Sequence, residues 1–328
     1  MKKRFLCLLA GMILLAGCSA QSTSSGENGA EELGPWGFVI EENTEFQPWL
    51  YPYVVRTESA NWYIAQDDLD LMGEDALYTG LSLVLRDQEA DFADARAALA
   101  PVLNTVIPKV AICTDFTGKA GISEICSAYY NGMENFIKVF HNWDQTRAEL
   151  LHEYVHYLTF ACCEPASASG FWAEGVAEYV SRIVCENRMS RSVNMCLSEE
   201  DITFFREEGV WDVEKNCVDE RMFTFGMAQL YSSGAMNGQP YFAVCHEHVT
   251  RAESMQNNPQ IELLSFQEVA SMIAWLAETR GMEFISENWQ TDENGMESLF
   301  GKSFSALYDE WAAWNTLRCI ELGMPVES

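Results

Sequence analysis

Apolar and polar positions alternate with two different periods along this chain, and the change of period divides it. Tyr51-Pro-Tyr-Val-Val and Asn61-Trp-Tyr-Ile-Ala are short, aromatic and β-branched, and predict strands. From residue 76 to 104 the period lengthens to that of a helix, with Phe92, Ala95, Leu99 and Val102-Leu103 forming an apolar stripe and Pro101 near its end. Lys109-Val-Ala-Ile-Cys-Thr predicts another strand. Residues 114–133, with glycines at 118, 121 and 132, predict a loop with a fragment of strand, and Asn135-Phe-Ile-Lys-Val-Phe-His a strand. Thr146 with Glu149 three residues later has the form of a capping box, which predicts a helix starting at Thr146 and carrying Leu150, Leu151, Tyr154, Val155 and Leu158 on one face. A turn at Glu164-Pro165 and a second helix beginning near Ser169 follow. Residues 183–220 are irregular, residues 221–234 predict a buried helix ended at Gly234, and residues 265–280 and 296–318 predict helices. The class this implies is α+β, a small mixed sheet followed by a mainly helical second half.

The beginning of the chain departs from both periods. Lys2, Lys3 and Arg4 precede a twelve-residue apolar run, Phe5 to Ala16, which is short for a membrane span and has the form of an export signal. It ends in Leu15-Ala16-Gly17-Cys18, which resembles the bacterial lipoprotein cleavage box. The resemblance implies a signal peptide over residues 1–17, lipid on Cys18 and export to the extracytoplasmic face of the membrane; cleavage near Ala20 by an ordinary signal peptidase is the alternative. Residues 18–34 are then the lipidated cysteine and a small, polar, flexible tether. Residues 35–145 form an N-terminal α/β part and residues 146–328 the helical remainder of the same domain. No later segment is long and apolar enough to be a membrane helix.

Charge narrows the partners. The chain has 49 acidic and 20 basic residues, a formal charge of −29; without the three basic residues of the signal it is 17 − 49 = −32. Such a balance argues against nucleic acid and against a polybasic hold on anionic lipid. Asp67-Asp68-Leu-Asp70 before Gly73-Glu74-Asp75 invites a calcium loop, but Met72 and Thr79 stand where oxygen ligands are needed, so an acidic loop is predicted.

The candidate chemistry lies in His152-Glu153-Tyr154-Val155-His156. Two histidines four apart on a helix are about 40° apart around its axis and one turn apart along it, so both imidazoles reach one ion. Glu153 sits at the edge of the same face, placed to hold a water against that ion. A hydrolytic zinc needs a third protein ligand and an open position. Glu174, in Gly170-Phe-Trp-Ala-Glu-Gly-Val-Ala-Glu-Tyr-Val, is the candidate after an interval of seventeen residues. Glu178, one turn on, is placed to accept the free ring N–H of a ligand histidine, with a solvated helix-face carboxylate as the alternative.

H-E-x-x-H followed by W-x-E-G-x-A-E resembles the gluzincin zinc metallopeptidases, in particular their peptidase-MA-like branch. The closing Phe300-Gly-Lys-Ser-Phe-Ser-Ala-Leu-Tyr-Asp-Glu-Trp is similar to the last helix of that branch. The resemblance implies a thermolysin-like arrangement, the sheet over the two zinc helices. It implies one zinc per chain held by His152, His156 and Glu174, Glu153 as general base, and Glu178 behind a ligand. It implies a peptide or protein substrate lying in a cleft lined by the last strand, with His141 at its end. The family pattern also leads one to expect a tyrosine, as oxyanion donor, near the start of the helix at 221–234, where this chain has Phe223 and Phe225. Tyr231, Tyr241, His246 and His248 are the substitutes, and a zinc-binding surface lipoprotein without turnover, acting as a binding module or sensor, is the alternative function. His246 and His248, two apart, cannot share an ion on a helix.

Eleven cysteines include Cys7 in the signal and Cys18, leaving nine in the exported part, where disulfides are expected. Cys113 with Cys126 and Cys185 with Cys196 are pairings suggested by short spacing. Cys162-Cys163 directly follows the zinc helix and is read as packing or disulfide rather than as rival ligands.

Overall fold

A computed structural model of the chain describes residues 35–117, 128–140, 143–167, 170–185, 202–203, 206–207, 209–213, 217–232, 259–291 and 295–324. It is a mixed α/β structure built on a six-stranded sheet. The first strands are β1 (Glu41–Glu42), β2 (Tyr53–Arg56) and β3 (Ala60–Ile64), consecutive and antiparallel. Helices α1 (Gln66–Met72) and α2 (Glu74–Leu99) then cross over to β4 (Val110–Thr114), which pairs parallel with β3. Strands β5 (Ala128–Asn131) and β6 (Phe136–Val139) form an antiparallel hairpin. β6 lies parallel to β4, so the order is β1-β2-β3-β4-β6-β5 and β5 is an edge.

The side-chain period of two is visible in the core. Trp62 and Ile64, Ile112, Ile137 and Val139 point to the main core under α2, while their neighbours Val54, Tyr63, Cys113 and Phe136 build a smaller cluster with Tyr51 on the other face. Helix α2 contributes Leu77, Leu81, Leu85, Phe92, Ala95 and Leu99 to the main core, and ends two residues before Pro101, so Val102 and Leu103 lie beyond it.

Helix α3 (Trp143–Ala161) packs across β5 and β6 and against α2, with Tyr154 stacked on Phe92 at 3.9 Å between ring centroids. It starts three residues before the expected capping box. Glu149 makes a different contact: its carboxylate accepts the Ala128 N–H of β5 at 3.1 Å. After the turn at Glu164-Pro165 comes α4 (Gly170–Glu178), continued without a break by a π-helical turn, Tyr179–Val184, whose wider winding shows in the Cys185 N–H bonding to the Val180 carbonyl at 3.0 Å.

Among the described residues, the rest is mainly helical, as expected. A two-stranded ribbon, β7 (Trp211–Asp212) and β8 (Cys217–Val218), leads into α5 (Glu220–Ser232). Then come α6 (Pro259–Arg280), α7 (Met282–Asn288), α8 (Met296–Phe300) and α9 (Phe304–Glu321). Two indole N–H groups tie this half to the loop and helix around α4: Trp289 bonds to the Pro165 carbonyl at 2.8 Å, and Trp172 to the Thr291 carbonyl at 3.1 Å. No described helix is long and apolar enough to cross a membrane.

Three expectations are corrected. The acidic loop at 67–75 is largely helix α1, because Asp68 is fully buried and accepts the Thr117 N–H at 3.2 Å instead of facing water. The strand expected to line a cleft, β6, is bonded on both sides, so its backbone is already committed and the free edge belongs to β5. Cys113 is a free, buried thiol, not half of a disulfide. Burial pushes it up to about 12, and it pairs with Tyr51. Cys162, Cys163 and Cys319 are likewise buried thiols. Cys126, Cys196, Gly234 and the cysteines and tether before residue 35 lie outside the described residues.

Candidate metal centre

The two histidines lie on the face of α3 turned toward α4. His152 and His156 bring their Nε2 atoms to 3.0 Å, and Glu174 Oε2 stands 3.2 Å from the first and 3.4 Å from the second. Among the described residues this is the one group of three or more His, Cys, Asp or Glu side chains close enough to hold an ion, and Cys162 and Cys163 are not in it.

The group fits zinc. A tetrahedral ion at about 2.0–2.1 Å from its ligands separates the donor atoms by about 3.3 Å, the size of this triangle. The protonation pattern fits too. Glu178 Oε1 is 3.0 Å from His152 Nδ1. A carboxylate there requires the proton on Nδ1, which leaves the Nε2 lone pair facing the other two donor atoms. Of the two readings of Glu178, the solvated surface carboxylate is excluded: it is buried and in contact with His152.

Electrostatics sharpen the division of roles. Burial opposes the charge on Glu174, but His152 and His156 overcome it and hold its carboxyl well below the usual carboxylate range. Burial likewise opposes charge on Glu178, and Arg182 and His152 bring it down to about 2. Glu153 goes the other way. Burial raises it, against the pull of His156 and His152, so this carboxyl binds a proton more readily than an ordinary one. Its Oε2 accepts the Tyr130 N–H of β5 at 2.7 Å, which ties it to the sheet edge.

The closeness of α4 to α6 sets where Glu174 stands. At Gly175 a Cβ atom would lie 2.5 Å from Val269 Cγ1 and 2.6 Å from Ile273 Cγ1, so only glycine permits this approach.

Phe223 and Phe225 are buried in α5. The side chain of Tyr231, and Tyr241, His246, His248, His141 and Cys18, lie outside the described residues. Sequence reasoning missed three participants: the Tyr130 backbone, which has no signature in side-chain identity, and Arg182 and Glu220. Arg182 was within reach as the i+4 partner of Glu178.

Comparison with protein-family models, with curated proteins and with solved structures finds no match to the chain.

Proposed function

We propose that the protein is a zinc-dependent metallopeptidase of the gluzincin type, exported and held at the extracytoplasmic face of a bacterial membrane by lipid on Cys18. The observation that carries the reading is the triangle of His152, His156 and Glu174 donor atoms, 3.0–3.4 Å on a side, with Glu153 close enough to both histidines to feel their charge. His152, His156 and Glu174 would hold one zinc, in a thermolysin-like arrangement of the two helices. Zinc held there would supply a Lewis acid for the scissile carbonyl and would make a neighbouring water more acidic. Glu153 would take a proton from the attacking water and pass it to the leaving amine nitrogen. The Tyr130 N–H holds one carboxylate oxygen and leaves the other for that water. The substrate is a peptide or protein; the excess of acidic residues disfavours nucleic acid.

The test is metal analysis and peptide hydrolysis on the soluble form starting at Ala20. About one zinc per chain is expected, lost in His156→Ala. Glu153→Gln should keep zinc and fold and lose hydrolysis of a peptide library; hydrolysis that survives this change refutes the mechanism. A second reading, zinc binding without turnover, is favoured by the burial of Phe223 and Phe225 where the family places a tyrosine. Under it the wild-type protein holds zinc and cleaves nothing.

A further inference from the structure

Behind the candidate metal centre runs a line of buried charge that belongs to neither the ligands nor the base. Both oxygens of Glu178 are engaged. Oε1 faces His152 Nδ1 at 3.0 Å, and Oε2 is bonded by the Arg182 guanidinium. Arg182 Nη1 continues to Glu220 Oε2 at 2.9 Å. Glu220 is the first residue of α5 and is 1% exposed, and Asp219 fixes that helix end by accepting the Met222 N–H at 2.9 Å. The order His152, Glu178, Arg182, Glu220 therefore links α3, α4, the π-helical turn and α5.

We propose that Arg182, seated against Glu220, is a positioning residue for the metal centre: it fixes the rotation of the Glu178 carboxylate and, through it, the ring of His152. The inference rests on the reading of His152, His156 and Glu174 as a metal site. Three physical points support it. First, a carboxylate held at one oxygen pivots, whereas one held at both, by the guanidinium on one side and by the 3.0 Å contact with His152 Nδ1 on the other, does not, so the direction in which Oε1 faces Nδ1 is set from the Arg182 side. Second, a ligand histidine depends on its outer partner for tautomer and orientation. Third, burying an arginine between two carboxylates adds little net stability compared with an apolar packing of the same volume, so stability is a weak reason for this set to exist, and fixing a geometry is a better one. The π-helical turn is part of the device. In an α-helix residues four apart overshoot a full turn, whereas in the wider π winding they fall short of it. The turn after Glu178 thus reverses the drift that α4 accumulates between Glu174 and Glu178, and returns Arg182 to the face those two residues occupy.

The test measures zinc affinity by competition with a chromophoric chelator, together with the visible spectrum of the cobalt-substituted protein, in wild type, Arg182→Met, Arg182→Lys, Glu220→Gln, Glu178→Gln and the Glu178→Gln/Arg182→Met pair. Zinc affinity should fall about 10-fold in Arg182→Met, at the lower end of the loss typical of outer-shell partners, and the cobalt bands should shift. Arg182→Lys should recover part of both, because an ammonium keeps the charge but not the planar two-pronged geometry. Adding Arg182→Met to Glu178→Gln should cost less than a further 2-fold, because Arg182 acts through Glu178. A folded Arg182→Met protein with wild-type zinc affinity and cobalt spectrum overturns the proposal, as do losses that multiply in the double variant. If Arg182→Met does not fold, Arg182→Lys and Glu220→Gln decide, and wild-type behaviour in both overturns it. A wild-type chain that takes up no zinc removes the metal-site reading itself, an outcome distinct from a zinc protein indifferent to Arg182.

Discussion

Gly175→Ala separates two arguments that predict opposite signs. Residue 175 is inside α4, where helix propensity alone makes alanine better than glycine by about 1 kcal/mol. Space argues the reverse. The new methyl would sit 2.5 Å from Val269 Cγ1 and 2.6 Å from Ile273 Cγ1, both branch carbons next to the backbone of α6 and not the mobile ends of long side chains. Ordinary carbon contacts are about 3.5–4.0 Å, so the helices must part by about 1 Å. Overpacking of this kind costs about 1–3 kcal/mol, and two close contacts place it near the upper end. Subtracting the propensity gain leaves a net loss of about 2 kcal/mol, or about 4 °C in Tm for a domain of this size. Because Glu174 is the adjacent residue, the same displacement should weaken zinc binding. The assay is thermal unfolding of the metal-free protein by circular dichroism, with zinc affinity measured alongside. Adding Val269→Ala, which removes the nearer of the two contacts, should return part of the loss. A Gly175→Ala protein more stable than wild type, with unchanged zinc affinity, would refute the close approach of α4 and α6.

Two further outcomes follow from charge and burial. Glu178 is held at about 2, below the ordinary 4.5, so its folded form binds protons less readily than its unfolded form. The stability it confers is therefore complete above about 4.5 and is lost as pH falls toward about 2. The denaturation midpoint of the metal-free protein should fall more steeply across that window than that of Glu178→Gln, and parallel curves would contradict the assignment. Cys113 is a free thiol sealed in the sheet's second cluster. It should resist iodoacetamide in the native protein and be alkylated in denaturant without reductant; mass spectrometry finding it disulfide-linked would contradict the fold around β4.

The parts of this molecule that were legible in the sequence are those in which local pattern and final environment agree. Residues 110–114, 136–139 and 266–280 carry apolar residues at the period of the element they form, and His152, Glu153 and His156 are tied together by helix geometry alone. The rest depends on partners distant in sequence. Asp67-Asp68-Leu-Asp70 reads as an acidic loop because nothing local reveals that Thr117, 49 residues on, supplies an N–H to a buried Asp68. Thr146 with Glu149 has the form of a cap, but Glu149 is used by the β5 edge and the helix begins at Trp143. Glu178 has two readings in the sequence, and only His152 and Arg182 on its two oxygens decide between them; nothing local to Gly175 reveals that α6 lies against it.

The Tyr130 N–H that holds Glu153 has a consequence for how this protein tolerates change. The donor is main chain, so every residue type except proline supplies it, and a change of side chain at 130 alters the contacts with Asn135, Tyr157 and Phe160 while leaving the donor to Glu153 in place. What the arrangement does not tolerate is a slip in pairing. A one-residue shift of β5 against β6 would turn that N–H to the opposite side of the strand. Deletions or insertions in the hairpin at 132–135 should therefore disturb Glu153 more than most substitutions along the strand, and inheritance at this edge acts on the spacing of residues more than on their identity.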